Sequence, residues 1–327
     1  MPAFSGIVED AAGLRLDRYV SENLGLLSRS QVRSRSLVAL VNGKQVKRSR
    51  LVKTGDRLEL SWNEAENPNV EPEDLPLVVL YEDPRVIVID KAQGMVVHPG
   101  AGNHSGTLVN ALLFRRMAAP PAAPIPGDPF RPGIVHRLDK DTSGVMICAW
   151  DAGTLAFLSG QFKTRKARKR YVAILRGVPG EETGRIRTRL CRDSRNRKRF
   201  AVGERGKEAL TYFRIIRSWT SHSLVLLYPR TGRTHQLRVH MDWLGHPIVG
   251  DPLYGSRDRL FPGASMMLHA KNLSLTLPGE QERRIFSSPL PDRFRSLIRV
   301  LKARAGRAAG LSPAAGLSPR HRVIGSG

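Results

Sequence analysis

The sequence predicts an α+β protein with two domains: a small N-terminal α+β module, and a larger domain whose mixed, mostly antiparallel central sheet is flanked by helices. Two observations predict this fold class. Hydrophobic residues change from a helical to an alternating period within residues 14–62. Beyond residue 77, short apolar strands alternate with helical segments, and several strands are joined by connections too short for a parallel crossover.

The small module contains helices followed by strands. Apolar residues at helical spacing predict a first helix over residues 14–24, and Ser28 is a candidate N-cap for a second helix that continues to Leu37. Strands are predicted over residues 38–41 and 58–60. Residues 1–13 are expected to form an N-terminal arm. Residues 63–76 are rich in Glu, Pro and Asn and are predicted to be a linker.

The larger domain is assigned to residues 77–303. Its predicted strands lie at 77–81, 86–90, 171–175, 210–216, 224–228 and 273–277. Its predicted helices lie at 107–117, 154–162, 235–244 and 293–303. A proline-rich loop is expected over residues 118–132, and residues 304–327 form a basic, low-complexity tail for which no fold is predicted.

The charge of the chain favours a nucleic-acid partner. Fifty-three Lys and Arg residues against 29 Asp and Glu residues give a formal net charge of +24, and such an excess is typical of proteins that bind a polyanion. Between Ser28 and Gly55 there is no acidic residue, and there are eight basic ones: Arg29, Arg33, Arg35, Lys44, Lys47, Arg48, Arg50 and Lys53. We expect Arg29, Arg33 and Lys44 to contact RNA, although a dimerisation arm with a solvated basic face is an alternative.

The composition argues against several other classes. Two cysteines are too few for a disulfide framework, and neither has the spacing of a zinc site. His235 and His240 are five residues apart, a poor spacing for shared metal ligation. Glu9 and Asp10 interrupt the region where a signal peptide would be apolar, and no segment has the length of a membrane span. We therefore expect a cytoplasmic protein without a metal site, and we expect it to be a monomer.

One acidic residue stands out in the larger domain. Asp139 follows a strand-like segment, Gly133-Ile-Val, and precedes Thr142-Ser-Gly, which suits a tight turn before a buried strand. From these residues alone, Asp139 is either a turn or cap residue or a catalytic carboxylate.

Four segments of the larger domain resemble the RluA-type pseudouridine synthases. They are Gly94-Met-Val-Val-His-Pro-Gly-Ala-Gly, His136-Arg-Leu-Asp-Lys-Asp-Thr-Ser-Gly, Arg170-Tyr-Val-Ala-Ile-Leu-Arg-Gly, and Thr231-Gly-Arg-Thr-His-Gln-Leu-Arg-Val-His followed by Gly250-Asp-Pro-Leu-Tyr-Gly. The small module resembles the S4 RNA-binding domain in Arg15-Leu-Asp-Arg-Tyr, Ser28-Arg-Ser-Gln-Val, Val41-Asn-Gly-Lys and Val52-Lys-Thr-Gly-Asp. The resemblance extends from about residue 14 to about residue 300 and implies the pseudouridine synthase fold.

The resemblance implies an isomerase that converts uridine in RNA to pseudouridine without a cofactor. Asp139 matches the family's catalytic carboxylate, which attacks the ribose C1′ or the uracil ring or removes a ribose proton. Arg233 matches the arginine that pairs with this aspartate, and Tyr171 matches the active-site tyrosine. Leu237 is expected to close the apolar side of the pocket, and Arg137 to insert into the RNA when the uridine leaves its stack.

The implied partner is large-subunit ribosomal RNA or the assembling large ribosomal subunit, and the specific uridine is not defined. Alternatives are the same chemistry on another ribosomal RNA site or on transfer RNA, and a non-catalytic RNA-binding or ribosome-assembly factor. An aspartyl-phosphate phosphatase is also conceivable from Asp139-Lys-Asp-Thr, but His136 and Arg137 interrupt the apolar strand that it requires. Residues 163–199 contain 15 basic and three acidic residues, and we expect this segment to lie beside the RNA.

Overall fold

The chain folds into two units, each built around its own sheet. The computed structural model describes residues 3–10, 13–27, 31–32, 35–63, 70–100, 103–117 and 132–310. Residues 1–69 form the first unit and residues 70–327 the second. Within the described residues, no helix has both the length and the apolar composition needed to cross a membrane.

The first unit contains a four-stranded antiparallel sheet in the order β1-β4-β2-β3. Its strands are β1 (Ala3–Ile7), β2 (Val38–Val41), β3 (Lys44–Gln45) and β4 (Arg57–Ser61). β2 and β3 form a hairpin through Asn42 and Gly43, which both have positive φ angles, of 52° and 74°. This backbone matches the type I′ turn that an Asn-Gly pair favours. The S4 assignment of this unit stays a prediction, with which the helix-and-sheet arrangement is compatible.

Two features of the first unit differ from the prediction. The expected N-terminal arm contributes β1, which pairs with β4 at the edge of the sheet. The expected first helix is a short α-helix, α1 (Leu16–Arg18), followed by a π-helical segment over Tyr19–Asn23. The core contains Leu16 from α1 and Tyr19 and Val20 from the π-helical segment, all of them buried. The expected second helix falls largely outside the described residues, as do Arg29 and Arg33.

The second unit contains a ten-stranded sheet, which confirms the predicted mixed, mostly antiparallel architecture. The strand order is β10-β9-β11-β12-β8-β13-β7-β6-β5, with β14 paired to β13. Among the described strands, one pair is parallel, and it joins β13 to β7. The strands are β5 (Val78–Glu82), β6 (Val86–Lys91), β7 (Ser143–Ala149), β8 (Arg168–Arg176), β9 (Thr183–Arg192), β10 (Phe200–Val202), β11 (Lys207–Ser218), β12 (His222–Pro229), β13 (Leu268–Thr276) and β14 (Arg283–Ser287).

Four helices of the second unit match the predicted ones in type and place. They are α2 (Leu108–Met117), α3 (Ala152–Lys163), α4 (Gln236–Trp243) and α5 (Asp292–Gly310). α3 begins at Asp151, whose side chain accepts a hydrogen bond of 2.8 Å from the Thr154 backbone N–H, and this N-cap satisfies one free donor of the first turn. The sequence analysis missed β9, β10 and β14.

Strand β7 is buried along its whole length, and its second residue occupies a position that only glycine fits. Gly144 has a φ angle of +118°, and a Cβ atom there would collide with the backbone of Ala270 on β13. Gly144 pairs directly with Ala270 in the parallel ladder. The absence of a side chain therefore allows β13 to approach the end of the loop that carries Asp139.

Candidate active site

A cavity of about 500 Å³ opens where the Asp139 loop, β8 and the start of α4 meet. Such a volume is in the range of small-molecule and cofactor sites. Among the described residues that line it, seven are basic and Asp139 is the one that is acidic. The basic residues are Arg137, Lys163, Arg165, Lys169, Arg230, Arg233 and Arg238.

The Asp139 loop is held in place by the last residue of β6 and by the segment that follows it. The Nζ atom of Lys91 donates to the backbone oxygens of Ala92, Met95 and Lys140, at 2.8, 2.8 and 3.1 Å. The Gly94 N–H also donates to the Lys140 oxygen, at 2.9 Å. Burial lowers the pKa of Lys91 to about 8, and the charges of Asp139 and Asp141 partly oppose that shift.

Arg238 is the arginine that pairs with Asp139. Its Nη1 atom lies 3.4 Å from Asp139 Oδ2, while its Nε and Nη2 atoms donate to the two carboxylate oxygens of Asp251, each at 2.7 Å. The Asp251 side chain is fully buried, and the Asp139 side chain is 20% exposed. Arg238 therefore bridges a structural carboxylate and one that faces the cavity, an arrangement that a planar guanidinium with several donors allows.

Asp251 in turn is held by the backbone that follows it. Its Oδ1 atom accepts hydrogen bonds from the N–H groups of Leu253 and Tyr254, at 2.9 and 3.1 Å. The Arg238 guanidinium also lies over the Tyr254 ring, 5.1 Å from its centroid. Burial disfavours the charged arginine, but the hydrogen bonds and charge of Asp251, and then the charge of Asp139, raise the pKa of Arg238 above its usual value.

The predicted pairing of Arg233 with Asp139 is corrected by this geometry. Arg233 lies in the loop before α4, where its Nε atom donates to the backbone oxygen of Glu208 at 3.0 Å. Its N–H donates to Gln236 Oε1, also at 3.0 Å. Helix α4 starts at Gln236, so Arg238 is inside the helix and buried, whereas Arg233 is in the loop and lines the cavity mouth.

The start of α4 is strained. His235 precedes the helix with a φ angle of 55°, a left-handed conformation that costs a non-glycine residue about 1–3 kcal/mol. Its Nδ1 atom lies 2.9 Å from the hydroxyl oxygen of Tyr254. Buried Gln236 accepts from Thr231 Oγ1 and donates to Thr211 Oγ1, at 2.7 and 2.9 Å. These contacts hold the strained turn, and the turn sets the direction from which Arg238 reaches Asp139.

Tyr171 and Leu237 provide the apolar wall of the cavity, and both are buried. Tyr171 lies on β8, where its neighbour Leu227 on β12 points to the same face. Burial, followed by the negative charge of Asp139, raises the pKa of the Tyr171 hydroxyl above its usual value. The ring is thus a neutral, flat surface beside the carboxylate.

Comparisons with known proteins identify the family of this chain. A sequence model of the family described as RNA pseudouridylate synthase matches residues 85–243. The chain is 41% identical over 289 residues to the ribosomal large subunit pseudouridine synthase D of Borreliella burgdorferi, with 86% of this chain and 87% of that protein covered. It is 38% identical to the protein of the same name from Xanthomonas campestris, with 94% of each covered. The chain belongs to the RluA family of RNA pseudouridine synthases.

A solved structure supports the same fold for the synthase. Human RNA Pseudouridylate Synthase Domain Containing 4 superposes with a TM-score of 0.55 at 27% identity, over 69% of this chain and 93% of the human one. The chain is therefore an isomerase, as the resemblance implied, and its substrate class is RNA.

The synthase has two cavity residues that the sequence analysis did not assign. Lys169 lies two residues before Tyr171 on β8, so its side chain points to the same face of the sheet, and burial lowers its pKa to about 8. His136 stacks on Phe162 with ring centroids 4.5 Å apart. Burial, and then the charge of Lys169, lower the pKa of His136 to about 3, so His136 is neutral at pH 7. Its Nε2 atom accepts the Ile147 N–H at 3.2 Å, which fixes the loop onto β7.

The remaining predicted residues lie in different places. Arg137 is exposed at the cavity rim, two residues before Asp139. Lys44 is exposed on β3 of the first unit. The RNA contacts expected of both residues stay predictions.

Proposed function

We propose that this synthase isomerises uridine in large-subunit ribosomal RNA, with Asp139 as the catalytic carboxylate. The observation that supports this most is the bridge made by Arg238, which places a fixed positive charge 3.4 Å from the one acidic side chain among the described cavity residues. The ribosomal target is proposed because both relatives named above are called ribosomal large subunit pseudouridine synthase D.

The proposed reaction exchanges one bond of the uridine for another. The bond from N1 to ribose C1′ breaks, the uracil turns over and C5 bonds to C1′. The proton on C5 is released to solvent, and N1 takes up a proton in its place. A charged carboxylate beside C1′ stabilises positive charge that develops as the glycosidic bond breaks, as in glycoside hydrolysis. Attack on C1′, attack on the ring and removal of a ribose proton are all compatible with this position.

The cavity provides separate surfaces for the base and for the backbone of the extruded nucleotide. Tyr171 and Leu237 form the apolar wall, and a base can pack on the flat tyrosine ring. The rim is basic at Arg137, Arg230 and Arg233, where phosphates flanking the nucleotide would approach. We expect Arg137, at this rim, to fill the gap that the extruded uridine leaves in the RNA, because its planar guanidinium can stack on bases.

The first unit is proposed to increase affinity and site selection rather than the rate of the chemical step. Lys44 is exposed there, and the described residues that line the cavity belong to the second unit. Deleting residues 1–73 should therefore raise the dissociation constant for RNA far more than it lowers the single-turnover rate at saturating RNA. A large fall in the single-turnover rate with an unchanged dissociation constant would contradict these roles.

The test of the proposed function is release of tritium from transcripts that contain C5-labelled uridine. Large-subunit ribosomal RNA, small-subunit ribosomal RNA and transfer RNA are each incubated with the wild-type protein under the same salt conditions. We expect release from the large-subunit transcript alone. Release only from another RNA would overturn the target, and no release from any of them would favour a non-catalytic RNA-binding factor.

A further inference from the structure

The basic segment over residues 163–199 divides between two opposite faces of the large sheet. β8 and β9 both belong to this segment, and alternate side chains of a strand point to opposite faces. Lys169 and Tyr171 on β8 point into the cavity. Arg168 and Arg170 alternate with them and point to the other face, where they are exposed.

That second face carries two tyrosines on neighbouring strands. Tyr212 on β11 pairs directly with Tyr228 on β12, so the two side chains lie side by side on one face. Leu227 pairs with Tyr171, so Tyr228, one residue further on, points away from the cavity. The Tyr212 side chain is 40% exposed, which is unusual for a large aromatic residue in a sheet that buries so much of its surface.

Arginines surround these tyrosines. Arg185 on β9 pairs directly with Tyr212 and is exposed. Arg187 and Arg189 follow at two-residue intervals on the same face, and Arg214 is two residues from Tyr212 on β11. The acidic residue on this face in the described part of β11 is Glu208, which forms an ion pair of 2.8 Å with Arg187. The face is therefore strongly positive, with two adjacent aromatic rings at its centre.

We propose that this face is a second RNA-binding surface, which holds a single-stranded segment of the substrate RNA next to the uridine in the cavity. Aromatic rings interleaved with arginines are suited to bases that stack and phosphates that pair. The surface is defined here as Arg170, Arg185, Arg187, Tyr212, Arg214 and Tyr228. The inference rests on the RNA substrate of the family and goes beyond the cavity described above.

The two RNA sites lie on opposite faces of the sheet, and the end of β12 connects them. Pro229 and Arg230 line the cavity and directly follow Tyr228. Two residues of strand span about 7 Å, so an RNA strand that leaves the cavity over Arg230 and passes round the end of β12 reaches Tyr228 on the opposite face. An acidic protein partner is less well matched, because it would use the arginines and leave the two rings without a base to stack on.

The test compares two RNAs of different length. One is a minimal hairpin that contains the target uridine, and the other is the same hairpin with single-stranded flanks of about ten nucleotides, in the range of single-strand site sizes. Dissociation constants are measured by fluorescence anisotropy for the wild type, for the double variant Tyr212→Ala/Tyr228→Ala and for the double variant Tyr212→Phe/Tyr228→Phe. Phe157→Ala is the matched control. Phe157 is 43% exposed, about as much as Tyr212, but it lies on α3 and not on the proposed surface.

We expect the alanine double variant to bind the flanked RNA at least about fivefold more weakly than the wild type, and the minimal hairpin with unchanged affinity. The phenylalanine variant keeps the rings and should bind like the wild type, as should Phe157→Ala. Arg185→Ala should lower the salt dependence of binding to the flanked RNA by about 0.7 in the log–log slope.

The proposal is overturned if the alanine double variant binds the flanked RNA like the wild type, or loses affinity equally for both RNAs. It is also overturned if these variants lose only a ribosomal protein partner. The wild type should release tritium from the minimal hairpin, because that reaction requires only the cavity. This release distinguishes failure of the second RNA-binding surface from failure of the proposed function.

Discussion

Replacing Arg238 by lysine tests the part of the site that differs most from the sequence-based expectation. Lysine keeps the positive charge, but its single ammonium group cannot donate in a planar fork to Asp251 and also reach Asp139. Arg238→Lys should therefore lose the contact with Asp139 or one of the two bonds to Asp251. Each is a charge-assisted hydrogen bond worth about 1.5–3 kcal/mol.

The effect of Arg238→Lys on rate and stability depends on which of these hydrogen bonds is lost. If the contact with Asp139 is lost and acts in the transition state, 1.5–3 kcal/mol corresponds to a fall of about 10- to 150-fold in rate. If a bond to fully buried Asp251 is lost, the free energy of unfolding falls by a similar 1.5–3 kcal/mol. The two outcomes are distinguished by measuring both quantities on the same protein.

The assay is single-turnover tritium release at saturating RNA, together with urea denaturation. Arg233→Lys is the matched control, because Arg233 lines the same cavity but donates to the backbone oxygen of Glu208. We expect it to change the rate less than about fivefold and to act mainly on RNA affinity, since its contribution is electrostatic and at the rim. If Arg238→Lys has the rate and stability of the wild type, or if Arg233→Lys has the larger loss in rate, the pairing described here is wrong.

Further predictions concern three other residues. Burial lowers the pKa of Lys169 to about 8, so RNA affinity should fall as the pH rises from about 7 to about 9. Lys169→Arg stays charged and should flatten this pH dependence of affinity in anisotropy measurements. The same pH dependence in the wild type and the variant would contradict the prediction. Because this pKa is lower in the folded than in the unfolded chain, Lys169 should contribute a gain in stability between about pH 8 and 10.5. Buried Lys91 has a similarly lowered pKa, so Lys169→Met should reduce that gain in urea denaturation without abolishing it. Gly144→Ala should destabilise the protein by about 2–4 kcal/mol, because of the positive φ angle and the collision with Ala270; a loss below about 1 kcal/mol would show that β13 can shift. Asp251→Asn should lower the free energy of unfolding by about 2–4 kcal/mol and the reaction rate by at least tenfold, and a normal rate would show that Arg238 is positioned without it.

The sequence predicted the residues of the site better than their pairing. Asp139, Tyr171 and Leu237 were expected in one pocket, and all three line the cavity. Arg233 and Arg238 occur in the same motif, and the choice between them depends on where α4 begins. Because the strained turn at His235 keeps Arg233 outside the helix, only the three-dimensional structure shows which arginine faces Asp139.

The sequence also concealed one strand within a charged segment. Residues Thr183–Arg192 contain four arginines and read as a basic run, so β9 was not predicted. The signal was present in the alternation of arginine with Ile186, Thr188 and Leu190, because buried and exposed residues alternate along a strand that covers one face of a core. Because four of the ten residues of β9 are arginines, the alternation of buried and exposed residues was not recognised in the sequence. The second basic face is therefore visible only from the pairing of strands in the structure.

The most direct test of the central claim is the single-turnover rate of Asp139→Asn at saturating RNA. Asparagine has nearly the same shape as aspartate but carries no charge, and the other cavity residues are unchanged. We expect Asp139→Asn to bind RNA with an affinity within about threefold of the wild type and to react at a single-turnover rate lower by about 10²- to 10⁴-fold. A variant that binds RNA normally and releases tritium within about tenfold of the wild-type rate would contradict the proposed role of the Asp139 carboxylate.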